Sequence, residues 1–248
     1  MTTRLLITGG ATGLGKSMAL AWAKNQKSEV NICVADINQN RGDATVAELQ
    51  AMGAQAFYHH CDITKQEDIE QLRTAINAKW QGIDIVINNA GVASGGSLQG
   101  ESIEQWQWIL DINLLGMVRV SQTFLADFKA QGHGYFINIA SQAGLTPIPF
   151  MSSYNAVKAA VVSLSETMKL ELAHDNIDVS VVCPSFFKTN LDESMRTSEP
   201  AMKKMMDRAF DKSDISAEQV ATRIYQAAQK RRFLILTHKL GKQNVSNQ

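Results

Sequence analysis

The chain has 248 residues, of which 45% are hydrophobic and 19% are charged, and its 24 basic residues balance 24 acidic ones. This composition is typical of a folded domain with a sizeable core, and the zero net charge argues against a protein that binds nucleic-acid phosphates. Because the first apolar run begins at Leu5 and no apolar stretch approaches the roughly 20 residues that span a bilayer, we expect a cytoplasmic protein that binds no membrane.

The predicted elements alternate between short apolar runs and longer helical segments. Strands are predicted over residues 4–8, 30–36, 56–61, 83–88, 135–140, 178–183 and 233–237. Most of these runs are apolar throughout, which is typical of parallel strands covered on both faces. Capping-box patterns begin at Thr64, Ser102 and Ser216. The alternation predicts an α/β fold: one doubly wound Rossmann-type domain over residues 1–248, with about seven parallel strands and helices on both faces.

The cysteines and one histidine pair raise the question of a metal or a disulfide. Cys33, Cys61 and Cys183 are far apart, and each lies in or at the end of an apolar run. Free buried thiols in a reducing compartment explain them best. Residues 59–62 (HHCD) look like metal ligands, but neighbouring residues on a strand point to opposite faces. We therefore expect no metal site.

A glycine-rich segment, residues 8–15 (TGGATGLG), directly follows the first strand and opens a helix. Glycines let the backbone turn sharply and approach a diphosphate, whose charge then meets the helix N-terminus. This context predicts a dinucleotide site, and an ordinary glycine-rich turn is the alternative.

Asp36 closes the second strand, about twenty residues after the glycines. A carboxylate there can accept hydrogen bonds from both adenosine ribose hydroxyls, and it would repel the 2′-phosphate of NADP. Arg41 and Lys16 are close in sequence, whereas Ile37 and Asn38 offer no cation. We predict NAD as the cofactor; a simple strand-end turn is the alternative for Asp36.

The order and spacing of motifs over roughly the first 190 residues resemble the short-chain dehydrogenase/reductase family. The resemblance rests on the glycine segment, Asp62, residues 88–91 (NNAG), Asn113, Ser141 and Tyr154-x-x-x-Lys158. It implies an oxidoreductase that uses a nicotinamide dinucleotide. One departure follows the sixth strand, where the family usually has Pro-Gly and this chain has Pro184-Ser185. That departure leaves the shape of the nicotinamide pocket open.

The resemblance also assigns cofactor contacts. It implies that Asp62 bonds the adenine edge, that residues 88–91 line the cleft, and that Thr189 meets the nicotinamide carboxamide. Asp62 could instead cap the next helix, and residues 88–91 could form a plain turn. The full predicted set of cofactor-binding residues is Gly9, Thr12, Gly13, Leu14, Gly15, Asp36, Asp62, Ile63, Asn89, Ala90, Gly91, Tyr154, Lys158, Pro184 and Thr189.

Tyr154 and Lys158 are four residues apart in a helical segment, so their side chains share one face. The ordinary pKa of a tyrosine is about 10, and a nearby ammonium, aided by a positive nicotinamide ring, favours the phenolate. A lowering of the Tyr154 pKa by roughly 3 units corresponds to about 4 kcal/mol. We predict Tyr154 as the general acid–base and Ser141 as a hydrogen-bond donor to the same substrate oxygen. A surface aromatic–cation pair is the alternative for Tyr154 and Lys158.

Two further residue roles concern the surroundings of Tyr154. Lys158 is expected to tune Tyr154 and to bind the nicotinamide ribose. By resemblance, Asn113 holds a water that relays protons between Lys158 and solvent. A buried polar residue that stabilises its own helix is the alternative for Asn113.

The segment at about residues 190–213 is rich in methionine and is predicted to be a substrate lid. With Phe150, Met151 and Phe186 as further walls, it suggests a hydrophobic secondary alcohol or ketone of 3-hydroxyacyl or hydroxysteroid type. Simple packing of these residues onto the core is the alternative.

The helical segments 103–129 and 152–173 are more apolar than one sheet face requires. By resemblance they form subunit contacts, which predicts a homotetramer, with a homodimer left open. Two other functions are alternatives for this sequence. An NADP-dependent 3-oxoacyl-acyl-carrier-protein reductase is disfavoured by Asp36, and a non-catalytic dinucleotide-binding regulator would have no need of Ser141, Tyr154 and Lys158 together.

Overall fold

The computed structural model describes residues 2–187, 193–197, 213 and 215–238. Within them the helices are α1 (Gly13–Asn25), α2 (Gln39–Ala51), α3 (Gln66–Trp80), α4 (Ile103–Leu110), α5 (Met117–Gln131), α6 (Ser152–Glu171) and α7 (Ala217–Gln229). The strands are β1 (Thr3–Thr8), β2 (Val30–Asp36), β3 (Gln55–His60), β4 (Ile85–Asn88), β5 (Ser94–Gly95), β6 (Gly134–Ile139), β7 (Ile177–Cys183), β8 (Arg196–Thr197) and β9 (Leu234–Leu236). Thr189 and most of the predicted lid lie outside the described residues.

Seven of the described strands form one parallel sheet in the order β3-β2-β1-β4-β6-β7-β9, and β5 pairs with β8 separately. The chain moves outward from β1 to β3 and then returns to β4 on the other side of β1. Connections therefore diverge at the carboxyl ends of β1 and β4, where doubly wound sheets open a ligand crevice. The predicted fold class is confirmed, with the strands close to their predicted positions.

The start of β4 differs most from its prediction, at residue 85 instead of 83. Asp84 is held by Arg4, whose backbone N–H donates to the carboxylate at 2.8 Å and whose guanidinium donates at 2.6 and 3.0 Å. The Asp84 backbone N–H in turn donates to the Arg4 carbonyl at 2.9 Å. Regular pairing therefore begins one residue later, at Leu5 with Ile85.

Alternation along β1 divides the core between the two faces of the sheet. Leu5 and Ile7 belong to the cluster that includes Trp22 of α1 and Ile224 of α7. Leu6 belongs to the opposite cluster, with side chains from α3 and α5 such as Ile69, Leu72, Phe124 and Phe128. Full burial of a large apolar side chain is worth about 1.5–3 kcal/mol. Both faces are therefore filled, which holds the strand ends in fixed places.

The three predicted capping boxes have different outcomes. Ser216 forms a complete box, since its Oγ accepts from the Gln219 N–H at 3.2 Å and the Gln219 Oε1 accepts from the Ser216 N–H at 3.0 Å. Ser102 accepts from the Gln105 N–H at 3.2 Å. The Thr64 prediction is wrong: α3 begins at Gln66, and the Thr64 hydroxyl donates to Asp62 at 2.7 Å.

The run Ile103–Gln131 joins α4, a π-helical turn (Asp111–Gly116) and α5. By length and composition it is the one helix among the described residues that could cross a membrane. That is weak evidence, because the core helix of a soluble protein passes the same test. The buried side chains of Phe124 and Phe128 pack this helix against the sheet.

The three cysteines are free and buried, as predicted.

Candidate active site

The glycine-rich turn between β1 and α1 needs its glycines for conformation and for space. Gly9 and Gly13 have φ values of +62° and +54°, in the left-handed region that favours glycine. A Cβ on Gly15 would lie 2.1 Å from the Gly9 carbonyl oxygen. Asn89 supports the turn, since its Nδ2 donates to the Thr8 and Gly9 carbonyls at 3.0 Å each. The turn therefore has room for a diphosphate close to its backbone, at the start of a helix.

A cavity of about 740 Å³ runs along the carboxyl ends of the central strands. Its volume lies within the usual range for small-molecule and cofactor sites. The predicted site residues that line it are Gly9, Thr12, Gly13, Leu14, Asp36, Asp62, Ile63, Asn89, Ala90, Gly91, Ser141, Tyr154, Lys158 and Pro184. Gly15 and Asn113 support the lining from behind without belonging to it.

Asp36 and Asp62 are two of the carboxylates that line one end of this cavity. Asp36 accepts from the Ala11 N–H at 3.1 Å and from the Asn38 N–H at 3.0 Å, so β2, the glycine turn and the start of α2 fix its position. Asp62 accepts from the Thr64 N–H and hydroxyl at 3.0 and 2.7 Å. Burial raises the pKa of Asp62, but the Thr64 hydrogen bonds and Lys65 outweigh it, and the net pKa is lowered. Asp62 is therefore an ionised hydrogen-bond acceptor at neutral pH.

A buried chain of polar side chains ties the sheet to the helices below the site. Asn88 donates to the Ser121 hydroxyl at 3.0 Å and to Asn138 Oδ1 at 2.9 Å. Asn138 donates to the Ser165 hydroxyl at 3.0 Å. The chain links β4 and β6 to α5 and α6. Because buried polar groups are costly unless bonded, it holds these elements in one arrangement.

Tyr154 and Lys158 lie one turn apart on α6, and both are buried and line the cavity. Ser141 follows β6, at the start of a short 3-10 turn, where its Oγ accepts from the Ala143 N–H at 3.1 Å and its side chain acts to lower the pKa of Tyr154. The Lys158 Nζ donates to the Ile139 carbonyl at 3.1 Å and lies 5.7 Å from the centre of the Tyr154 ring. The structure thus brings together the three residues that the sequence predicts as the chemical centre.

The pKa values of this centre differ from the prediction. Burial raises the pKa of Tyr154 to about 12, and the interaction with Ser141 offsets only part of the effect. Burial also lowers the pKa of Lys158 to about 8. The protein's own groups therefore keep Tyr154 a neutral phenol. Lys158 is not among the causes of this shift, since the desolvation of the phenolate dominates among the protein's own groups. The predicted lowering, which includes the charge of a nicotinamide ring, stays a prediction.

Asn113 lies in the π-helical turn and is 1% exposed. Its Oδ1 accepts from the Val92 N–H at 2.8 Å, and its Nδ2 donates to the Val92 carbonyl at 2.9 Å. A Cβ on Gly91 would meet the Asn113 Oδ1 at 3.1 Å. The Asn113 side chain therefore holds the loop after β4 beside the cavity. Its role in a water relay stays a prediction, and π-turns are frequent at functional sites.

Sequence reasoning missed Glu101, a buried carboxylate next to the start of α6. Its Oε1 accepts from the Ser94 and Ser153 hydroxyls at 2.6 Å each and from the Gln105 amide at 3.2 Å, and its Oε2 accepts from the Ser153 N–H at 3.0 Å. These bonds join β5, α4 and the residue before Tyr154. Nothing in the sequence pattern identifies Glu101, because Ser153, which gives two of these bonds, is 52 residues away along the chain.

The other end of the cavity is formed by residues 92–93, 142–143, 146–148, 151 and 184–187, none of which is charged. Met151 and Phe186 are among them, as predicted. Phe150 is not, since it is 53% exposed and turns outward with a φ of +60°. The described wall beside Tyr154 is therefore largely apolar.

Comparisons with known proteins agree with this geometry. Residues 3–200 match the family model described as short chain dehydrogenase. A 3-oxoacyl-[acyl-carrier-protein] reductase of Synechocystis sp. is 32% identical over 198 residues, covering 79% of this chain and 78% of the relative. A D-beta-hydroxybutyrate dehydrogenase of Rhizobium meliloti is 32% identical over 195 residues, covering 78% of this chain and 74% of that protein.

Solved structures give the same result over nearly the whole length. A short chain dehydrogenase/reductase from Burkholderia phymatum, solved in complex with NAD, superposes with a TM-score of 0.92 at 29% identity. The match covers 99% of this chain and 92% of that one.

Proposed function

The chain belongs to the short-chain dehydrogenase/reductase family and is an oxidoreductase, and we propose that it exchanges hydride between NAD and a hydrophobic secondary alcohol or ketone. One observation carries the proposal. Ser141, Tyr154 and Lys158 meet in the same cavity that has the glycine turn and Asp36 at its other end. A dinucleotide laid along that cavity would have its phosphates at the start of α1. Its reactive ring would then lie beside Tyr154.

The chain's own residues can hold and move one proton at the substrate oxygen. In the reducing direction the Tyr154 phenol donates its proton to the carbonyl oxygen of the ketone. In the oxidising direction the same oxygen of Tyr154 takes the proton of the alcohol. Ser141 donates a hydrogen bond to the substrate oxygen and stabilises the charge that develops there.

Lys158 contributes charge and position. Because burial lowers its pKa to about 8, the ammonium is still the main form at pH 7. Its Nζ is bonded to the Ile139 carbonyl at 3.1 Å and the residue lines the cavity, which supports a role in binding the hydroxyls of the nicotinamide ribose. When bound, the oxidised cofactor supplies the hydride acceptor and a positive charge that lowers the pKa of a neighbouring phenol.

Asp36 supports NAD as the cofactor. Its carboxylate is fixed by two backbone N–H groups and lines the cavity where the adenosine ribose would lie. It can accept hydrogen bonds from the 2′- and 3′-hydroxyls, and it would repel a 2′-phosphate. We propose Asp62 and Ile63 as contacts of the adenine and Thr189 as a contact of the nicotinamide amide.

The apolar wall beside Tyr154 supports a hydrophobic substrate of 3-hydroxyacyl or hydroxysteroid type.

We also propose a cytoplasmic homotetramer that binds no nucleic acid or membrane. Exposed apolar residues on the helices assigned to subunit contacts support the assembly, since Ile103 is 68% exposed, Leu115 46% and Leu170 76%. Light scattering after gel filtration tests the assembly, and a monomer would contradict it.

A second candidate is an NADP-dependent 3-oxoacyl-acyl-carrier-protein reductase. The Synechocystis relative, 32% identical, carries that name. The carboxylate of Asp36 counts against the cofactor of this candidate, and the apolar wall is compatible with its substrate. Cofactor preference therefore distinguishes the two functions.

The test is a screen of the purified full-length protein with NADH and NADPH. Ketone substrates should include a 3-oxoacyl thioester, a keto-steroid, a medium-chain methyl ketone and a small polar ketone. We expect turnover of one or more of the apolar ketones, with NADH preferred by at least about tenfold in kcat/KM. Equal use of NADPH would contradict the role of Asp36. Faster turnover of the small polar ketone would contradict the proposed substrate class.

A further inference from the structure

An ion pair crosses the cavity at the end where the adenosine ribose would lie. Arg41, in the first turn of α2, bonds Glu193 with an Nη1–Oε2 distance of 2.8 Å. Both residues line the cavity, as does Asp36. Glu193 comes from the segment between β7 and β8, far along the chain. We infer that Glu193 is a specificity-determining residue that excludes a 2′-phosphorylated dinucleotide by neutralising Arg41, which rests on the proposed function.

Arg41 is the cation that a 2′-phosphate would otherwise use. A ribose bound at Asp36 would place its 2′ position beside the start of α2, where Arg41 lies. An arginine can bind a phosphate bidentately, and a helix N-terminus adds to the attraction. Of the charged residues in the described lining, only Arg41 and Lys158 are cations, and Lys158 belongs to the catalytic centre.

Glu193 changes the net charge that a 2′-phosphate would meet at this end of the cavity. Asp36, Arg41 and Glu193 together carry one net negative charge at neutral pH, whereas Asp36 and Arg41 alone would be neutral. A phosphate monoester carries about −1.5 to −2 charges at pH 7. Glu193 therefore pairs with the Arg41 guanidinium and also repels a 2′-phosphate. A dinucleotide without the 2′-phosphate needs no cation there and is not repelled in this way.

Glu193 is held in place by the structure that follows it. Three residues later, the Arg196 N–H donates to the Ala93 carbonyl at 3.2 Å, in the pairing of β8 with β5. The Arg196 guanidinium carbon lies 3.9 Å from the centre of the Trp108 ring. Residues 193–197, of which Glu193 and Ser194 line the cavity, are therefore anchored at β5 and at Trp108. Sequence reasoning from Asp36 alone could not find this second carboxylate.

The test compares binding of NADH and NADPH by nicotinamide fluorescence, without turnover. We expect Glu193→Gln to lower the ratio of the NADPH Kd to the NADH Kd by at least about fivefold, from one removed charge at close range. The gain should shrink at high salt, because the pair is about half exposed. Adding Arg41→Gln to Glu193→Gln should abolish the gain.

Glu48→Gln is the matched control, since it removes a carboxylate that pairs with Lys16 outside the cavity lining. This control should leave the ratio within about twofold of wild type. Glu193→Lys is a second variant and should lower the ratio further than Glu193→Gln. A ratio unchanged in both Glu193 variants would overturn the inference alone. Failure of the wild type to bind either dinucleotide would overturn the proposed function and this inference with it.

Discussion

Lys158 offers a test in which stability and activity should change in opposite directions. The residue is 6% exposed, and burial lowers its pKa from the ordinary 10.5 to about 8. At 1.36 kcal/mol per pKa unit, the buried ammonium costs the folded state about 3 kcal/mol at pH 7. Lys158→Met replaces the lysine by an uncharged side chain of similar length. The lost hydrogen bond to Ile139, about 1 kcal/mol, is offset by apolar burial of similar size.

The stability difference between wild type and Lys158→Met should depend on pH. Between about pH 8 and pH 10.5 the unfolded chain binds the Lys158 proton and the folded protein does not, so wild-type stability rises with pH in that window. We expect Lys158→Met to be more stable than wild type by about 3 kcal/mol at pH 7 and by under about 1 kcal/mol at pH 10. Tyr154 and Cys183, with pKa values of about 12, stay neutral throughout.

The assay is equilibrium unfolding in urea, at equal protomer concentration and without dinucleotide. The kcat of each variant is measured separately, on native protein from the same preparations with dinucleotide and substrate added. Lys169→Met is the control, because Lys169 is an exposed lysine on the same helix. A variant that is less stable than wild type at pH 7, or a stability difference that does not change up to pH 10, would refute the burial of a charged Lys158. Retained activity would remove Lys158 from the catalytic centre.

Three shorter predictions concern catalysis, the glycine turn and a helix end. Tyr154→Phe should fold and still bind NADH but lose about 10²–10⁴-fold in kcat, and retention of a tenth of the activity would exclude the role. Gly15→Ala should raise the Kd of NADH at least about tenfold, because its Cβ would lie 2.1 Å from the Gly9 oxygen; an unchanged Kd in a fluorescence titration would contradict the close approach. Ser216→Ala should lower the free energy of unfolding by about 0.5–2 kcal/mol, through loss of its bond from the Gln219 N–H. Urea unfolding measures that loss, and a change below this range would mean that the box is not formed.

The elements that the sequence predicts well are those set by local rules. The predicted strand at 30–36 is β2 with the same bounds. A short run that is apolar throughout is typical of a parallel strand buried on both faces. Tyr154 and Lys158 share a helix face because four residues make about one turn. Ser216 caps α7 because its partner is three residues away.

The elements that the sequence misses depend on contacts between distant segments. Thr64 has the sequence pattern of an N-cap, but its hydroxyl donates a hydrogen bond to the carboxylate of Asp62 instead of capping the helix. Asn113 is recognisable as a family position, yet its bonds to Val92 follow from the π-helical turn, which no residue pattern predicted. Glu193 reaches Arg41 across 152 residues of sequence. In each case a nonlocal partner decides what the side chain does.

The pKa values explain why a site of this kind needs more than a tyrosine and a lysine. Burial protects the reacting atoms from water, but the same burial raises the pKa of Tyr154 and lowers that of Lys158, against the phenolate–ammonium pair. The protein alone is therefore arranged to hold a neutral phenol, the form that donates a proton to a ketone. Removing a proton from an alcohol requires the phenolate, which the positive charge of an oxidised nicotinamide favours. In the proposed mechanism, proton transfer from an alcohol to Tyr154 therefore requires the oxidised cofactor, whose positive charge favours the phenolate.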